Sequence, residues 1–302
     1  MKNKYKGLLV VSSIGVVSIA GYYTLKKLTK KFYDKAFSVK TSQITEDNSA
    51  YFDSLNIEKL TMENKNGLLL NGHYIRKTTE SKFTFILVHG HHCSGFDLRE
   101  YTEAFLNHFD CDIFLPDLQG HGESQGDVVG FGYLDAADLS EWIDFLIAIN
   151  PGRPIVPLGI SMGGATVCQL SSRVLPNEVK CIIEDCSYDT LYNQLNYRLK
   201  KEYKMPLVIF SRMLNKMLKK KAGYILADAS PLEQVAKAKL PMLFIHGLSD
   251  DYVPSSMVFK LYNACPMEKE LFYVRDARHS EALSKDLKGY VEAVAVFIDR
   301  YI

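Results

Sequence analysis

The sequence predicts an α/β fold in which a mostly parallel central sheet is flanked by helices. Short runs rich in β-branched and aromatic residues alternate with stretches of helical periodicity. These runs are almost continuously apolar, which is typical of strands that are buried on both faces of a parallel sheet. The predicted strands are residues 83–88, 112–116, 155–160, 179–184, 241–246 and 270–274, and the predicted helices are 134–149, 166–174, 255–263 and 287–301.

The composition is that of an ordinary globular protein. Of 302 residues, 47% are hydrophobic and 24% are charged, which supplies enough apolar side chains for one domain with an insertion. The six cysteines are scattered and form neither a CxxC pair nor a Cys/His spacing typical of zinc sites. A disulfide framework and a structural zinc site are therefore not expected.

The N-terminal segment 1–31 is predicted to be a transmembrane anchor. Residues 7–25 contain no charged side chain and have lysines on both sides. As a helix they would span about 28 Å, close to the thickness of the hydrocarbon core of a bilayer. This predicts a location at the cell membrane, with the orientation left open. A cleaved signal peptide, with residues 18–20 (Ser-Ile-Ala) as the cleavage site, is the alternative.

The rest of the chain divides into a linker, a core and an insertion. The core is expected to begin with a hairpin, because a two-residue turn is favoured at Asn66-Gly67. Between the fourth and fifth predicted strands lies a long lysine-rich segment with helical periodicity, which predicts a helical cap. The predicted boundaries are 32–55 for a polar linker, 56–187 and 230–302 for the core, and 188–229 for the cap.

The net charge of +1 hides an uneven distribution. Residues 1–35 carry a net charge of +7 and residues 188–229 a net charge of +6, so the remainder carries −12. Basic and apolar residues are mixed in the cap, which favours either a surface that lies on anionic lipid or a lid with a solvated face. The glycine-rich loop 117–124 has neither the spacing of a dinucleotide site nor a Walker lysine, so it predicts a structural turn. No nucleic-acid partner is expected.

Residues 159–163, Gly-Ile-Ser-Met-Gly, follow a predicted strand and open a predicted helix. This is the context of a nucleophile elbow, in which glycines permit a sharp turn that exposes the serine. The helix N-terminus favours developing negative charge. Ser161 is therefore the predicted nucleophile. Pro157 departs from the pattern because proline cannot donate a hydrogen bond within a central strand.

A nucleophilic serine needs a base and an acid that orients the base. When the serine lies in a nucleophile elbow, the three residues occur along the chain in the order serine, acid, histidine. The loop after the fifth predicted strand carries Asp250 and Asp251, and the loop after the sixth carries His279. We predict His279 as the base and Asp250 as the acid, with Asp251 and Asp185 as the alternative acids.

The oxyanion of an acyl-transfer intermediate is stabilised by backbone N–H groups. Met162, directly after the nucleophile, is the first predicted donor. His91 is the second, because it lies in a glycine turn at the end of a predicted strand. Neighbouring His89 is expected to make structural hydrogen bonds within the turn. A zinc site here is not predicted, because no cluster of acidic residues lies nearby.

Together these motifs resemble the α/β-hydrolase superfamily, and more narrowly the bacterial serine aminopeptidase-like and monoglyceride-lipase-like hydrolases with an N-terminal membrane anchor. Across residues 57–302, five motifs follow one another in the order found in this family: LVHG, PDLQGHGES, GISMGG, LFIHGLSDDYVP and ARHSE. The resemblance implies the α/β-hydrolase fold. It also implies Asp250 as the triad acid, His279 as the base and His91 as the second oxyanion donor.

The expected function is that of a serine hydrolase that cleaves a carboxylic ester or thioester through an acyl-enzyme on Ser161. A small acyl substrate is expected, including lipid-derived ones, with no metal or other cofactor. Two alternatives stay open. One is an aminopeptidase-like amide hydrolase, and the other is a non-catalytic, membrane-attached binding protein with the same fold.

Overall fold

The computed structural model describes residues 4–39, 45–77 and 81–302, with side chains from residue 21 onward. Within this part of the chain, eight strands form one sheet in the order β1-β2-β4-β3-β5-β6-β7-β8. In this spatial order, all neighbouring strands from β4 onward are parallel, and β2 is antiparallel to both β1 and β4. The predicted mostly parallel sheet is therefore confirmed. The strands are β1 Ile57–Glu63, β2 Leu69–Ile75, β3 Phe83–Val88, β4 Cys111–Pro116, β5 Ile155–Ile160, β6 Ile182–Asp185, β7 Met242–Gly247 and β8 Lys269–Val274.

Helices cover both faces of this sheet. Alternate side chains of β3 point to opposite faces, so Phe85 packs in one core with Phe105, and Ile86 packs in the other with Trp142. The helices are α1 Lys4–Phe37, α2 Glu46–Asp53, α3 Arg99–His108, α4 Asp135–Ile149, α5 Met162–Leu170, α6 Leu191–Tyr203, α7 Val208–Ala222, α8 Pro231–Val235, α9 Ser256–Ala264, α10 Ala282–Lys285 and α11 Leu287–Ile298. Helices α6 and α7 occupy the position of the predicted cap, between β6 and β7.

Pro157 lies inside β5, beside β3 on one edge and β6 on the other. The N–H of Ile155 donates to the carbonyl of Glu178, so the nitrogen of Pro157, two residues on, faces the same side. The proline has no N–H to donate there, so the ladder is interrupted between the bridge Ile155–Val179 and the pair Leu158–Ile183. Strand β6 therefore begins only at Ile182, and the predicted strand 179–184 is shortened at its start.

The first hairpin differs from the predicted two-residue turn. Strands β1 and β2 pair up to Glu63 and Leu69, so five residues connect them. The side-chain Oδ1 of Asn64 accepts hydrogen bonds from the N–H groups of Asn66 and Leu68, at 3.0 Å each. This side chain organises a longer loop, in which Gly67 adopts a φ of +77°.

Residues 32–55 are not a polar linker where the structure describes them; residues 40–44 lie outside the described part. Helix α1 continues to Phe37, and Tyr33 and Phe37 stack on each other and are buried. Phe52 of α2 is also buried. Aromatic residues spaced four apart form one face of a helix, which explains why this segment packs on the core.

Among the residues with described side chains, no helix carries an apolar stretch long enough to cross a bilayer. Residues 7–20 of the predicted anchor, including the alternative cleavage site at 18–20, lie outside that part of the chain.

Candidate active site

Ser161 lies at a sharp turn between β5 and α5. Its backbone has a φ of +58° and a ψ of −112°, a conformation that a residue with a side chain rarely adopts. The N–H of Ser161 donates to the carbonyl of Asp185 at 2.8 Å, which anchors the turn to β6. The half-buried serine thereby lies at the carboxyl end of the sheet, where active sites of parallel sheets gather.

The two glycines that flank Ser161 are required by close backbone contacts. A Cβ atom on Gly159 would lie 2.0 Å from the carbonyl oxygen of Gly163. A Cβ atom on Gly163 would lie 2.0 Å from the carbonyl oxygen of Val88. Neither position has room for a side chain, so the sharp turn at Ser161 requires glycine at both positions.

The structure brings Ser161, His279 and Asp250 together. His279 Nε2 lies 2.8 Å from Ser161 Oγ, and His279 Nδ1 lies 2.7 Å from Asp250 Oδ2. A carboxylate only accepts hydrogen bonds, so Nδ1 carries the imidazole proton and Nε2 is left to accept the serine proton. This is the geometry of an activated nucleophile.

The alternative acids lie elsewhere. Asp251 is exposed and pairs with Lys201 of α6 at 2.7 Å. Asp185 is buried, and its Oδ2 accepts hydrogen bonds from the hydroxyls of Tyr101 and Tyr290. Of the three candidate aspartates, Asp250 alone contacts His279 in the described structure.

Asp250 is held as a carboxylate by several donors. Burial by itself would raise its pKa, but hydrogen bonds from His246 and His279 together lower the pKa well below its usual range. Its Oδ1 also accepts the N–H groups of Tyr252 and Val253, both at 2.8 Å. The acid beside His279 therefore stays ionised and fixed in orientation.

The predicted oxyanion donors lie on either side of the serine. Met162 is the first residue of α5, so its N–H is one of the four that have no partner within the helix. The turn that precedes His91 packs against Ser161, because a Cβ atom on Gly90 would lie 3.5 Å from the Cβ of Ser161. Both predicted donors are thus next to the nucleophile.

His89 makes the structural hydrogen bonds that the sequence predicts. Its Nδ1 lies 2.7 Å from the carbonyl of Gly90, and its Nε2 accepts the N–H of Leu118 at 3.0 Å. Complete burial lowers the pKa of His89 to about 4, so the ring is neutral. This side chain ties the turn before His91 to the loop that follows β4.

A cavity of about 310 Å³ opens beside Ser161, a size typical of ligand sites. Its walls come from α1, from α6 and from the loops around the serine. The sequence did not predict the contribution of α1, which supplies Phe32, Lys35 and Ala36. The signal that was available is their spacing, which puts Phe32 and Ala36 on one helical face.

Tyr252 and Arg198 are further neighbours of the site that the sequence did not identify. The ring of Tyr252 lies 4.9 Å from the imidazole of His279. The guanidinium of Arg198, on α6, lies 4.1 Å from the centre of the Tyr252 ring. Arg198 thus makes a cation–π contact with Tyr252, which connects the cap to the imidazole of His279.

Known proteins with a similar sequence include hydrolases. A family model described as "Alpha/beta hydrolase family" matches residues 85–229. The protein YqkD of Bacillus subtilis, which is described as uncharacterized, is 25% identical over 97% of this chain and 95% of its own length.

Solved structures with a similar fold include an esterase and a peptidase. The esterase Pf2001 of Pyrococcus furiosus superposes with a TM-score of 0.70 at 21% identity, and the match covers 87% of this chain and 98% of the esterase. The acylaminoacyl peptidase of Pyrococcus horikoshii superposes with a TM-score of 0.56 at 16% identity, over 85% of this chain and 43% of the peptidase. The predicted α/β-hydrolase fold is thereby confirmed.

Proposed function

We propose that this chain, which belongs to the alpha/beta hydrolase superfamily, is a serine hydrolase that cleaves a carboxylic ester or thioester. The observation that carries the proposal is the chain of hydrogen bonds from Ser161 through His279 to Asp250 at the wall of an open cavity. A serine, an imidazole and a carboxylate in this order are the working parts of acyl transfer.

The reaction proceeds in two halves. His279 Nε2 accepts the proton of Ser161 as Oγ attacks the ester carbonyl, and the N–H groups of Met162 and His91 stabilise the oxyanion. The protonated imidazole then donates to the departing alcohol or thiol, which leaves an acyl-enzyme. Water, deprotonated by His279, releases the acid, and Asp250 stabilises the imidazolium in both halves.

Two observations favour an ester over an aminoacyl amide. The cavity of about 310 Å³ beside Ser161 is lined mainly by apolar and aromatic side chains, and its acidic residue Glu202 is paired with Lys35 and Arg198. A free substrate amine would need an unpaired carboxylate. The second candidate, an aminopeptidase-like amide hydrolase, is favoured by a different observation: exposed Glu100 lines another cleft that also reaches Ser161.

The decisive experiment is labelling with a fluorophosphonate, which reacts with activated serines. The wild-type protein should be labelled at Ser161, and Ser161→Ala should not be labelled. An unlabelled wild-type protein would instead support the non-catalytic, membrane-attached binding protein. A panel of acyl esters and thioesters beside aminoacyl amides then separates the two hydrolase candidates by kcat/KM.

We also propose that residues 7–25 attach the protein to the cell membrane. The support is their uncharged, apolar sequence between two groups of lysines. In cells, the full chain should stay in the membrane fraction after alkaline extraction. A variant with Ile14→Lys and Val17→Lys should move to the soluble fraction, and equal distribution of the two proteins would refute the anchor.

A further inference from the structure

Two neighbouring cavities follow helix α1. The larger contains Ser161, and the smaller, of about 120 Å³, lies further towards the N-terminal part of the helix. Ala36 lines only the larger cavity and Leu28 lines only the smaller one, whereas Phe32 and Lys35 line both. Moving along α1 from Ala36 to Leu28 therefore leads away from the nucleophile.

The walls of this path are largely apolar. Leu28, Phe32 and Ala36 are spaced four apart, so they share one face of α1, and they cover about 12 Å along the helix axis. The opposite wall is formed by Leu199, which lines both cavities, and by Met205, which lines the smaller one. A path with this lining suits a hydrocarbon chain and offers little to a polar group.

A contact between α1 and α6 lies where the two cavities meet. Lys35 Nζ is 3.1 Å from the hydroxyl of Tyr203 and 3.3 Å from Glu202 Oε2. The Lys35 side chain is 62% exposed, and exposed pairs of this kind contribute little to stability. Displacing this side chain would widen the junction of the two cavities at small cost, because Lys35 lines both of them.

A third cleft, of about 290 Å³, also reaches Ser161. It is lined by Asp97 and Glu100 as well as by His279. It is therefore more acidic than the path along α1. An ester bound at Ser161 would have its acyl chain on the apolar side and its polar leaving group on this one.

We infer that the two cavities along α1 form one subsite for an unbranched acyl chain of medium to long length. This inference rests on the proposed function, because it places the acyl carbonyl at Ser161. The chain runs between α1 and α6, past Phe32 and Leu199, towards Leu28 and Met205. The N-terminal helix is in this way a determinant of specificity and forms a wall of the active site.

The test uses full-length protein and the p-nitrophenyl esters of butanoate, octanoate and dodecanoate. Met205→Trp fills the smaller cavity, which only a long chain reaches. Excluding two or more methylenes should lower kcat/KM for dodecanoate about tenfold, with butanoate within about twofold of wild type. Val174→Trp is the matched control, because it adds a similar volume at a position that is 84% exposed, and all three esters should be unaffected.

A second variant removes the contact between the cavities without touching the core. Lys35→Met should raise kcat/KM for dodecanoate relative to butanoate about threefold, because it opens the path and extends its apolar wall. Lys30→Met, at an exposed position on the same helix, should leave the ratio unchanged. This variant decides the question even if Met205→Trp does not fold.

The outcomes separate the subsite from the proposed function. If the wild-type protein hydrolyses none of the esters and Ser161 is not labelled, the proposed function fails. If butanoate is hydrolysed but Met205→Trp and Lys35→Met leave the chain-length preference unchanged, the acyl subsite alone is refuted. An equal loss for all three esters in Met205→Trp would refute it as well.

Discussion

The imidazole of His92 is hydrogen-bonded to the end of helix α1, with Nε2 3.2 Å from the carbonyl oxygen of Ser38. His92 has a φ of +62°, and its ring stacks on that of His91 at 3.6 Å. The turn that carries His91, the proposed second oxyanion donor, is therefore fastened to the end of α1 through His92.

This attachment predicts a kinetic effect of His92→Ala. Loss of one oxyanion donor costs at least about a hundredfold in kcat, so a displaced turn should cost less, about tenfold. Because the donor acts on the transition state, kcat should fall with little change in KM. His92→Gln, which keeps a donor, should recover part of the rate. His108→Ala, at an exposed position on α3, is the control; a similar loss there, or a loss confined to KM, would contradict this role.

The contact between Ser161 and His279 predicts strongly non-additive losses. Ser161→Ala and His279→Ala should each remove most ester hydrolysis, and the double variant should be little worse, because the residues act as a unit. The thermal unfolding midpoints should stay close to that of the wild type, since neither side chain is part of the apolar cores. Wild-type kcat in Ser161→Ala would disprove the mechanism.

The different contacts of Asp250 and Asp251 predict unequal effects. Asp250→Asn removes the charge that fixes the tautomer of His279, a change that costs about 10⁴ in kcat in a serine protease. Asp251→Asn breaks only an exposed pair with Lys201, so kcat should change less than about twofold. Measuring kcat of both variants with one ester tests this prediction. Equal losses in the two variants would argue against Asp250 as the acid that orients His279.

Much of this arrangement could be predicted from the sequence because the decisive signals are local. A run of apolar residues predicts a strand, and the glycines around Ser161 predict the turn that follows it. The loops that carry Asp250 and His279 follow predicted strands, so the parallel sheet brings them to the same edge. The limits of β6 were less accurate, because its start depends on Pro157 in the neighbouring strand.

The wall that α1 contributes was missed for a different reason. Phe32 and Ala36 acquire their role because they line one cavity with Leu199, more than 160 residues away in the chain. Helical spacing indicates that one face of α1 is apolar, but no local pattern specifies what that face covers. The polar residues after Phe37 also resemble a linker, which concealed the buried aromatic side chains before them.

Buried carboxyl groups predict how stability depends on pH. Burial raises the pKa of Asp135 to about 7, and the nearby charge of Asp138 adds to this effect. The folded protein thus binds this proton more tightly than the unfolded chain does, so the stabilisation is complete below the unfolded pKa and is lost as pH rises to about 7. For one such group the free energy of unfolding falls by up to about 1.4 kcal/mol per pH unit.

Thermal unfolding at pH 5 and pH 8 measures this effect. The lowered pKa values of buried His89, His91 and His121 act in the opposite direction, so the comparison with a variant isolates Asp135. From pH 5 to pH 8 the midpoint of Asp135→Asn, which cannot ionise, should fall less or rise more than that of the wild type. Exposed Asp144→Asn is the control and should keep the wild-type change. The same change with pH in Asp135→Asn and in the wild type would contradict the shift.

The basic residues of α7 lie on its outer face, whereas the apolar face of this helix is largely occupied. Phe210, Leu214 and Leu218 are buried in the protein core. The ammonium group of Lys221 lies 4.8 Å from the centre of the Tyr33 ring, so it contacts α1. Insertion of this buried face into lipid would require α7 to leave the core, and of the apolar side chains of α7 only Val208 and Ile209 are exposed. Any contact between the cap and a membrane should therefore depend mainly on its basic residues.

This distinction predicts how the cap responds to lipid and salt. The test uses the full-length chain with Ile14→Lys and Val17→Lys, which disables the proposed anchor. In flotation assays this variant should bind vesicles that contain anionic lipid at low salt, weakly at physiological salt, and should not bind purely zwitterionic vesicles. Changing Lys219, Lys220 and Lys221 to glutamine should reduce that binding, while hydrolysis of p-nitrophenyl butanoate stays intact. If the anchor-disabled protein fails to bind anionic vesicles even at low salt, the cap is only a lid over the cavity.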